Sequence, residues 1–377
     1  MARAYFLGAG ASAADGLPTT GELNYCVAAY LHSSRGENGP LARYYREVYD
    51  VGPRETMAAC EAWNRFLAHR ENRPQAPNPL PDFIETLSIL DLTIAEEASL
   101  GATRRDGAVC YEGNRHELAL VRAELAMATG LGIKDAIYRH PTPCARALIQ
   151  RLGLRDTVIT TNWDTLLDRA LTSARREHEG GKWLKATNIA YGGVGERIVN
   201  WQGDDIRKRA ERLYSLYKLH GSLNWFFCPC CANLYANVEG TWIIDPQKRR
   251  PVHDECHCGA GLDNVVVAPS FVKQYRNVHL RSVWKHAQHA LQEAREWVFV
   301  GYSLPSDDYH IRAMLLRALR ARLAHWTKTR GQVVQITVVT DKPNDALEAR
   351  YRDLFRVASV AIRTRGFAQY LGIRASA

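Results

Sequence analysis

Ala4-Tyr-Phe-Leu-Gly8-Ala-Gly10-Ala-Ser12 decides how the rest of this chain is read. Ala4 to Leu7 is a short apolar run of strand length that enters directly into small residues. A strand-to-helix turn made of Gly8, Ala9, Gly10, Ala11 and Ser12 lets backbone N–H groups approach a pyrophosphate, and a helix N-terminus adds a favourable field. The pattern alone is a weak signal. The third glycine of the common dinucleotide spacing is missing, and a tight glycine turn in any α/β protein is the plain alternative. The next helix is expected near Thr20 or Glu22.

Working outward, residues from Leu31 to Ile137 are helical in pattern and carry no strand signal. The clearest pieces are Glu55 to His69, Asp82 to Glu97 and Arg115 to Tyr138, with the Pro- and Asn-rich stretch Glu71 to Pro81 as a loop. The Tyr44, Tyr45, Tyr49 cluster is ambiguous. After His140-Pro141 short apolar strands alternate with helices. Helix Cys144 to Gly153 precedes strand Thr157 to Thr161, and Asp164 opens another helix. Strand Tyr214 to Leu219 and the run Asn264 to Ala268 follow, the latter read as a central strand. Helix Val278 to Glu296, strand Trp297 to Gly301, helix Asp307 to Leu323 and strand Val333 to Thr340 complete the series. This alternation predicts an α/β fold with a Rossmann-like, doubly wound parallel sheet, a helical insertion and a small cysteine-rich module. The division expected is 1–30, 141–224 and 263–377 for the sheet domain, 31–140 for the insertion and 225–262 for the module. No repeat or low-complexity tract is visible.

The 377 residues suit two or three domains, or one large domain with insertions. A balance of 46% hydrophobic and 24% charged residues excludes disordered, collagenous and coiled-coil classes for the whole chain. No apolar run approaches the roughly 20 residues of a membrane helix. Met1 to Ser12 faintly imitates a signal peptide, but Gly8 and Gly10 break its apolar stretch. A formal charge of +9 permits a nucleic-acid or nucleotide partner without demanding one.

The nine cysteines are unevenly placed. Cys26, Cys60, Cys110 and Cys144 are scattered, while Cys228, Cys230, Cys231, Cys256 and Cys258 fall in one window. Clustering of this kind points to a metal site in a reducing compartment, hence to the cytoplasm. Two close pairs give the four-sulfur tetrahedron that zinc prefers: Cys228 and Cys231 at Cys-x-x-Cys spacing, then Cys256 and Cys258. Cys230, His253 and His257 are alternative ligands, and free thiols or a redox pair are the competing readings.

Several strand ends carry polar groups: Thr160-Thr161-Asn162-Trp163-Asp164, Lys218-Leu-His220-Gly-Ser222, Gly301-Tyr-Ser303 and Thr340-Asp341. Ligands of open parallel sheets sit outside these carboxyl ends. His220 alone reads as a satisfied turn histidine, and Asn162 with Asp164 as a helix cap. Their co-occurrence argues for a site. Arg312, Arg317, Arg320, Arg322, Lys328 and Arg330 surround an apolar face of Met314, Leu315, Leu316, Leu319 and Leu323. That is a solvated surface helix or a contact to protein or nucleic acid.

Gly8-Ala-Gly-Ala-Ser-Ala-Ala-Asp-Gly-Leu-Pro18, Thr161-Asn-Trp-Asp164, Leu219-His-Gly-Ser222, the four-cysteine insert and Gly301-Tyr-Ser-Leu304 occur in the order of the sirtuin family, which the chain resembles over nearly all but the helical block. Thr160 to Asp164, Lys218 to Ser222 and Gly301 to Asp308 resemble the bacterial sirtuin-like branch of antiphage systems. The resemblance implies NAD as ligand and Asn162 with His220 as the catalytic pair. It also implies phosphate contacts from Gly8 through Ser12, Gly301 and Ser303, with Thr161 and Asp164 in the same pocket. Asp341 is expected to accept from the adenosine ribose. Three departures weaken protein deacylation. Pro18-Thr19-Thr20-Gly21 replaces Pro-Asp-Phe-Arg, Thr161 replaces Gln, and Ala268-Pro-Ser-Phe-Val-Lys273 stands where an acyl-lysine loop is usual. Hydrolysis of NAD to nicotinamide and ADP-ribose, as the toxic effector of an antiviral system, is therefore expected. An NAD- or ADP-ribose-sensing subunit and a deacylase are the alternatives. In that setting Asn162 orients the ribose hydroxyls and a water, His220 acts as general base, and Asp164 either orients the site or caps its helix. Homo-oligomerisation, a HerA-like hexameric ATPase, an Argonaute-type protein or another defence subunit is the expected partner.

Overall fold

The structure is a computed structural model that describes residues 2–100, 102–105, 108–111, 114–153, 155–178, 189–194, 196–199, 214–237, 256–266, 277–306, 308–329 and 334–373. Strand β1 (Arg3–Leu7) leads into helix α1 (Ala9–Ala13), a 3-10 turn (Thr20–Glu22) and α2 (Leu23–Leu31). Next come α3 (Pro40–Tyr49), α4 (Pro53–Ala68), α5 (Phe83–Leu100), a hairpin of β2 (Ala102–Arg105) and β3 (Ala108–Tyr111), and α6 (Asn114–Arg139). Then follow α7 (Pro143–Arg151), β4 (Thr157–Thr160), α8 (Leu166–His178), β5 (Ile189–Ala190), β6 (Glu196–Val199), β7 (Tyr214–Lys218) and β8 (Gly221–Phe227). The chain continues through β9 (Leu234–Asn237), β10 (Asp263–Val266), α9 (Val278–Glu293), β11 (Glu296–Val300), α10 (Tyr309–Thr329) and β12 (Gln335–Val339). It closes with α11 (Asp345–Leu354), β13 (Ser359–Arg363) and α12 (Gly366–Tyr370).

Seven strands form one parallel sheet in the order β13-β12-β11-β1-β4-β7-β5. The Rossmann-like α/β class is therefore the observed one. Ala4 to Leu7 and all of β4 are buried, as unbroken apolar strands of a two-sided parallel sheet must be. From β1 the chain builds outward through β4 and β7 on one side, then returns to β11 on the other. The β1–β11 edge is thus the topological switch point, where open α/β sheets hold their ligands.

A second sheet, β10-β8-β9-β6, is mostly antiparallel. The run beginning at Asn264 is its edge strand and not a central parallel strand. An apolar, β-branched run reports burial but not which sheet supplies it. Gly221 makes the change of sheet possible. At φ 75 it turns the chain from β7 into β8, and a Cβ there would sit 2.0 Å from the Val265 carbonyl oxygen.

Two further expectations are corrected. The first helix begins inside the glycine turn, at Ala9, because five small residues show no 3.6-residue periodicity. The β2–β3 hairpin interrupts the block read as all helical. Its strands are too short to alternate visibly, although Asp106-Gly107 between them is a hairpin dipeptide. The long helices fall close to expectation, with Pro53 opening α4 and the Asp82 carboxylate accepting from the N–H groups of Ile84 (2.9 Å) and Glu85 (3.0 Å) at the head of α5. Ala268 to Lys273, His253, Asp307, Val333 and Arg330 lie outside the described residues. In α10, Met314, Leu315 and Leu319 are buried, and Arg317 and Arg322 bond Gln288 and the Gln292 carbonyl of α9. Two of the basic residues therefore brace a neighbouring helix. Among the described residues no helix is long and apolar enough to cross a membrane.

Candidate functional site

The site begins where two strand ends interlock. Gly8 N–H donates to Val300 O (3.0 Å) and Gly10 N–H to Gly301 O (3.0 Å), joining the turns after β1 and β11. Gly301 has φ 59, and a Cβ there would fall 2.2 Å from Ala11 N, so only glycine fits this contact. Leu304, at φ 49 and buried, is a second left-handed residue in the same turn. Because the N–H groups of Gly8, Gly10 and Ala11 donate within the protein, the loop residues that face the adjoining cavity are Ala9 and Ser12.

The turn after β4 docks onto this pair of loops. Asn162 Nδ2 donates to Gly8 O (2.9 Å) and to Ser12 Oγ (2.8 Å), and Ser12 Oγ donates to Asp164 Oδ2 (2.6 Å). Both amide protons of Asn162 are engaged, so what its carboxamide offers a ligand is an acceptor oxygen. Asp164 Oδ1 accepts from Leu166 N (3.0 Å) at the start of α8, so one carboxylate bonds both the head of that helix and Ser12. Burial pushes its carboxyl up from the ordinary value, while the Lys218 charge and the Ser12 hydroxyl pull it back.

Beneath the loop lies a buried ion pair. Lys218 Nζ donates to Asp164 O (2.6 Å), Asp168 Oδ2 (2.8 Å) and Ser222 Oγ (2.5 Å). Lys218 and Asp168 are about 1% and 0% exposed, and Tyr191 OH and Asn224 Nδ2 also donate to Asp168. The ammonium thereby ties the turn after β4, helix α8 and strand β8 together around His220.

These elements enclose a cavity of 290 Å³. Ala9, Ser12, Thr161, Asn162, Asp164, His220, Gly301 and Ser303 all line it. His220 is buried, at the bend between β7 and β8, and the carbonyl before it, Leu219 O, accepts from Trp284 Nε1 (2.9 Å) of α9. Gly8, Gly10 and Ala11 stand behind the lining. Asp341, at the end of β12, is exposed and does not line the cavity. Two further wall residues had no signal at the sequence level. Ile84 of α5 and Ile133 of α6 read as ordinary helix core, yet they close one side together with Leu17, Pro18 and Thr20. Arg73, in the loop between α4 and α5, anchors that side. Its guanidinium reaches Ala13 O (2.6 Å), Leu17 O (2.7 Å) and Glu22 Oε2 (3.0 Å). Tyr302 OH donates to Asp308 Oδ2 (2.8 Å), and both residues border the cavity.

Asp15, just beyond α1, belongs to the stretch Gly8 to Pro18. It accepts from Cys144 N (2.7 Å) and Ala145 N (2.8 Å), the first N–H groups of α7. Burial still dominates and raises its carboxyl from 3.8 to about 6. A raised folded-state pKa means that the folded protein holds this proton more tightly. The stabilisation is full below the unfolded value and is lost as pH rises through about 6. Denaturant unfolding of wild type and Asp15→Asn across this window is expected to show wild type losing about 3 kcal/mol relative to the variant. A pH-independent difference would contradict the assignment.

The cysteine module forms one cluster. Cys228, Cys231, Cys256 and Cys258 place their sulfurs within 4.8 Å of one another, with Cys228–Cys258 at 3.5 Å and Cys231–Cys256 at 3.3 Å. Sulfurs about 2.3 Å from a tetrahedral zinc would lie about 3.8 Å apart, so the donor set fits that ion. Cys230 is exposed and outside the cluster, and His257 Nδ1 sits 2.8 Å from Tyr235 OH. His279 Nε2, 2.6 Å from Ala232 O, ties the module to α9. Metal analysis of natively purified protein is expected to give about one zinc per chain, abolished by Cys228→Ser and unchanged by Cys230→Ser. The opposite response would reassign the ligands.

A family model described as a SIR2-like domain matches residues 156–353, 198 of the 377 residues. Among solved structures, the chain is similar to a Sir2 homologue–NAD complex at TM-score 0.41 and 15% identity, covering 98% of this chain and 89% of that one. It is similar to a mutant Sir2 homologue–ADP-ribose complex at TM-score 0.40 and 16% identity, covering 99% and 94%. No curated protein matches the sequence.

Proposed function

We infer, because the chain belongs to the SIR2-like domain family, that the cavity at the sheet's switch point binds NAD. We further propose that its residues cleave the nicotinamide–ribose bond with water as acceptor, giving nicotinamide, ADP-ribose and a proton. The observation that carries this reading is that Asn162 and His220, from two different strand ends, border one cavity beside the interlocked glycine turns. At 290 Å³ the cavity is near the lower end of ligand pockets, roughly 300–1,000 Å³, which suits enclosure of the nicotinamide riboside end alone.

The leaving group is cationic and departs neutral, so no acid is needed. Positive charge develops at the ribosyl carbon, as in glycosyl transfers generally. The Asn162 acceptor oxygen suits a ribose hydroxyl or the incoming water. The His220 imidazole, which borders the cavity, takes the proton as general base. The Ser12–Asp164 pair holds the carboxamide in place. Thr20 borders the cavity where deacylating sirtuins carry a phenylalanine, so that ring does not shield the ribosyl centre from water.

The test is nicotinamide release from NAD by the purified chain, with and without an acylated-lysine peptide. Equal release in both arms is expected. Release only with peptide would indicate a deacylase, and NAD binding without release would indicate a sensor. As the biological setting we propose a toxic effector of a bacterial antiviral system. An enzyme that drains NAD must be restrained, and self-assembly or a HerA-like ATPase or other defence subunit would supply that control.

A further inference from the structure

We propose that Arg73 is a positioning residue: from the helical insertion it holds in place the cavity wall formed by Leu17 to Leu23, and so sets how tightly NAD is held. The consequence for NAD rests on the reading under which the cavity binds it, whereas the clamp stands on the geometry of the fold alone. Leu17, Pro18, Thr20 and Leu23 line the cavity from the stretch that joins α1 to α2. The regular structure between those helices is a three-residue 3-10 turn, Thr20–Glu22, too short to fix a wall by its own backbone bonds. Contacts from neighbouring elements therefore fix its position.

One guanidinium spans the stretch. Arg73 Nη2 donates to Ala13 O (2.6 Å), and Nη1 donates to Leu17 O (2.7 Å) and to Glu22 Oε2 (3.0 Å). A single side chain thus pins the start, the middle and the end. Glu22 Oε2 also accepts from Thr19 N (2.7 Å) and Thr19 Oγ1 (2.9 Å), which carries the hold to the residue between Pro18 and Thr20. The guanidinium lies 5.0 Å over the buried Phe66 ring of α4, which keeps the donor fork in one orientation. The Arg73 and Glu22 side chains are 29% and 16% exposed, so water screens the ion pair only in part.

The loop that carries Arg73 is also bonded to α2. Tyr25 OH donates to Ala76 O (2.6 Å) and Asn24 Nδ2 to Pro81 O (2.7 Å). Arg73 adds an ionic link to this neutral seam. Ile84 and Ile133, from α5 and α6 of the insertion, stand in the same wall. A wall held before the ligand arrives costs no ordering on binding. A wall held only part of the time weakens the apparent affinity by the fraction of chains in the competent state. Arg73 itself does not line the cavity, so its loss should appear in KM and in the NAD dissociation constant, with kcat retained.

Hydrogen exchange and steady-state kinetics of the full chain test the clamp in wild type, Arg73→Gln, Arg73→Lys and Glu22→Gln. In Arg73→Gln the backbone amides of residues 17–23 are expected to exchange about tenfold faster without ligand. The KM for NAD should rise about tenfold, with kcat within about twofold of wild type. Lysine keeps the charge but not the fork, and Glu22→Gln removes the ion pair but leaves the bonds to Ala13 O and Leu17 O, so both variants should fall between. They also guard against misfolding of Arg73→Gln. Unchanged exchange in this stretch, or faster exchange spread evenly over the chain, overturns the clamp. A fall in kcat with KM unchanged overturns the positioning role. If wild type neither binds nor cleaves NAD, the functional reading fails, and the local exchange result alone decides the clamp.

Discussion

Lys218→Met is expected to lower the unfolding free energy by about 3–5 kcal/mol, a fall of roughly 4–6 °C in melting temperature for a chain of this length, and to take turnover with it. All three ammonium protons are engaged, with Asp168, the Asp164 carbonyl and Ser222. Methionine replaces the volume but leaves the fully buried Asp168 charge uncompensated, with only the neutral donors Tyr191 and Asn224. The double variant Lys218→Met/Asp168→Leu removes both charges and is expected to recover much of the stability, though not the loop geometry. Thermal melts of the single and double variants decide it. Equal destabilisation in the two would show that packing, and not the stranded charge, sets the cost.

His220→Ala is expected to reduce the rate of nicotinamide release by about 10²–10⁴ fold while NAD still binds. The side chain borders the cavity, so the loss should appear in kcat and not in KM. Asn162→Ala should cost at least as much, and it should also destabilise the protein by about 1–3 kcal/mol. Gly8 O and Ser12 Oγ would both lose a donor. Steady-state kinetics and melts of both variants separate the two roles. Wild-type turnover in either variant would remove that residue from the mechanism.

Much of the sheet was legible because its strands are short apolar runs: Ala4 to Leu7, Thr157 to Thr160 and Trp297 to Val300 need burial on both faces. The polar groups that follow them mark strand ends, and those ends converge by topology alone. The second sheet was not legible. Its start depends on the left-handed Gly221, and Asn264 carries no mark of which partner it will take. Ile84 and Ile133 were invisible as cavity residues because a helix residue facing a cavity and one facing a core have the same chemistry. Asp341 ends β12, two places from β1, and does not line the cavity sized for the nicotinamide riboside end. Lys218 could be read only as part of a motif, since its partner Asp168 lies 50 residues away in the chain.

The most direct measurement is a crystal structure of His220→Ala soaked with NAD. The nicotinamide riboside should occupy the cavity between Asn162 and the vacated imidazole position, with the phosphates over Ala9, Ser12, Gly301 and Ser303. Coenzyme bound elsewhere, or a saturated crystal with that cavity lacking nicotinamide density, would contradict the account.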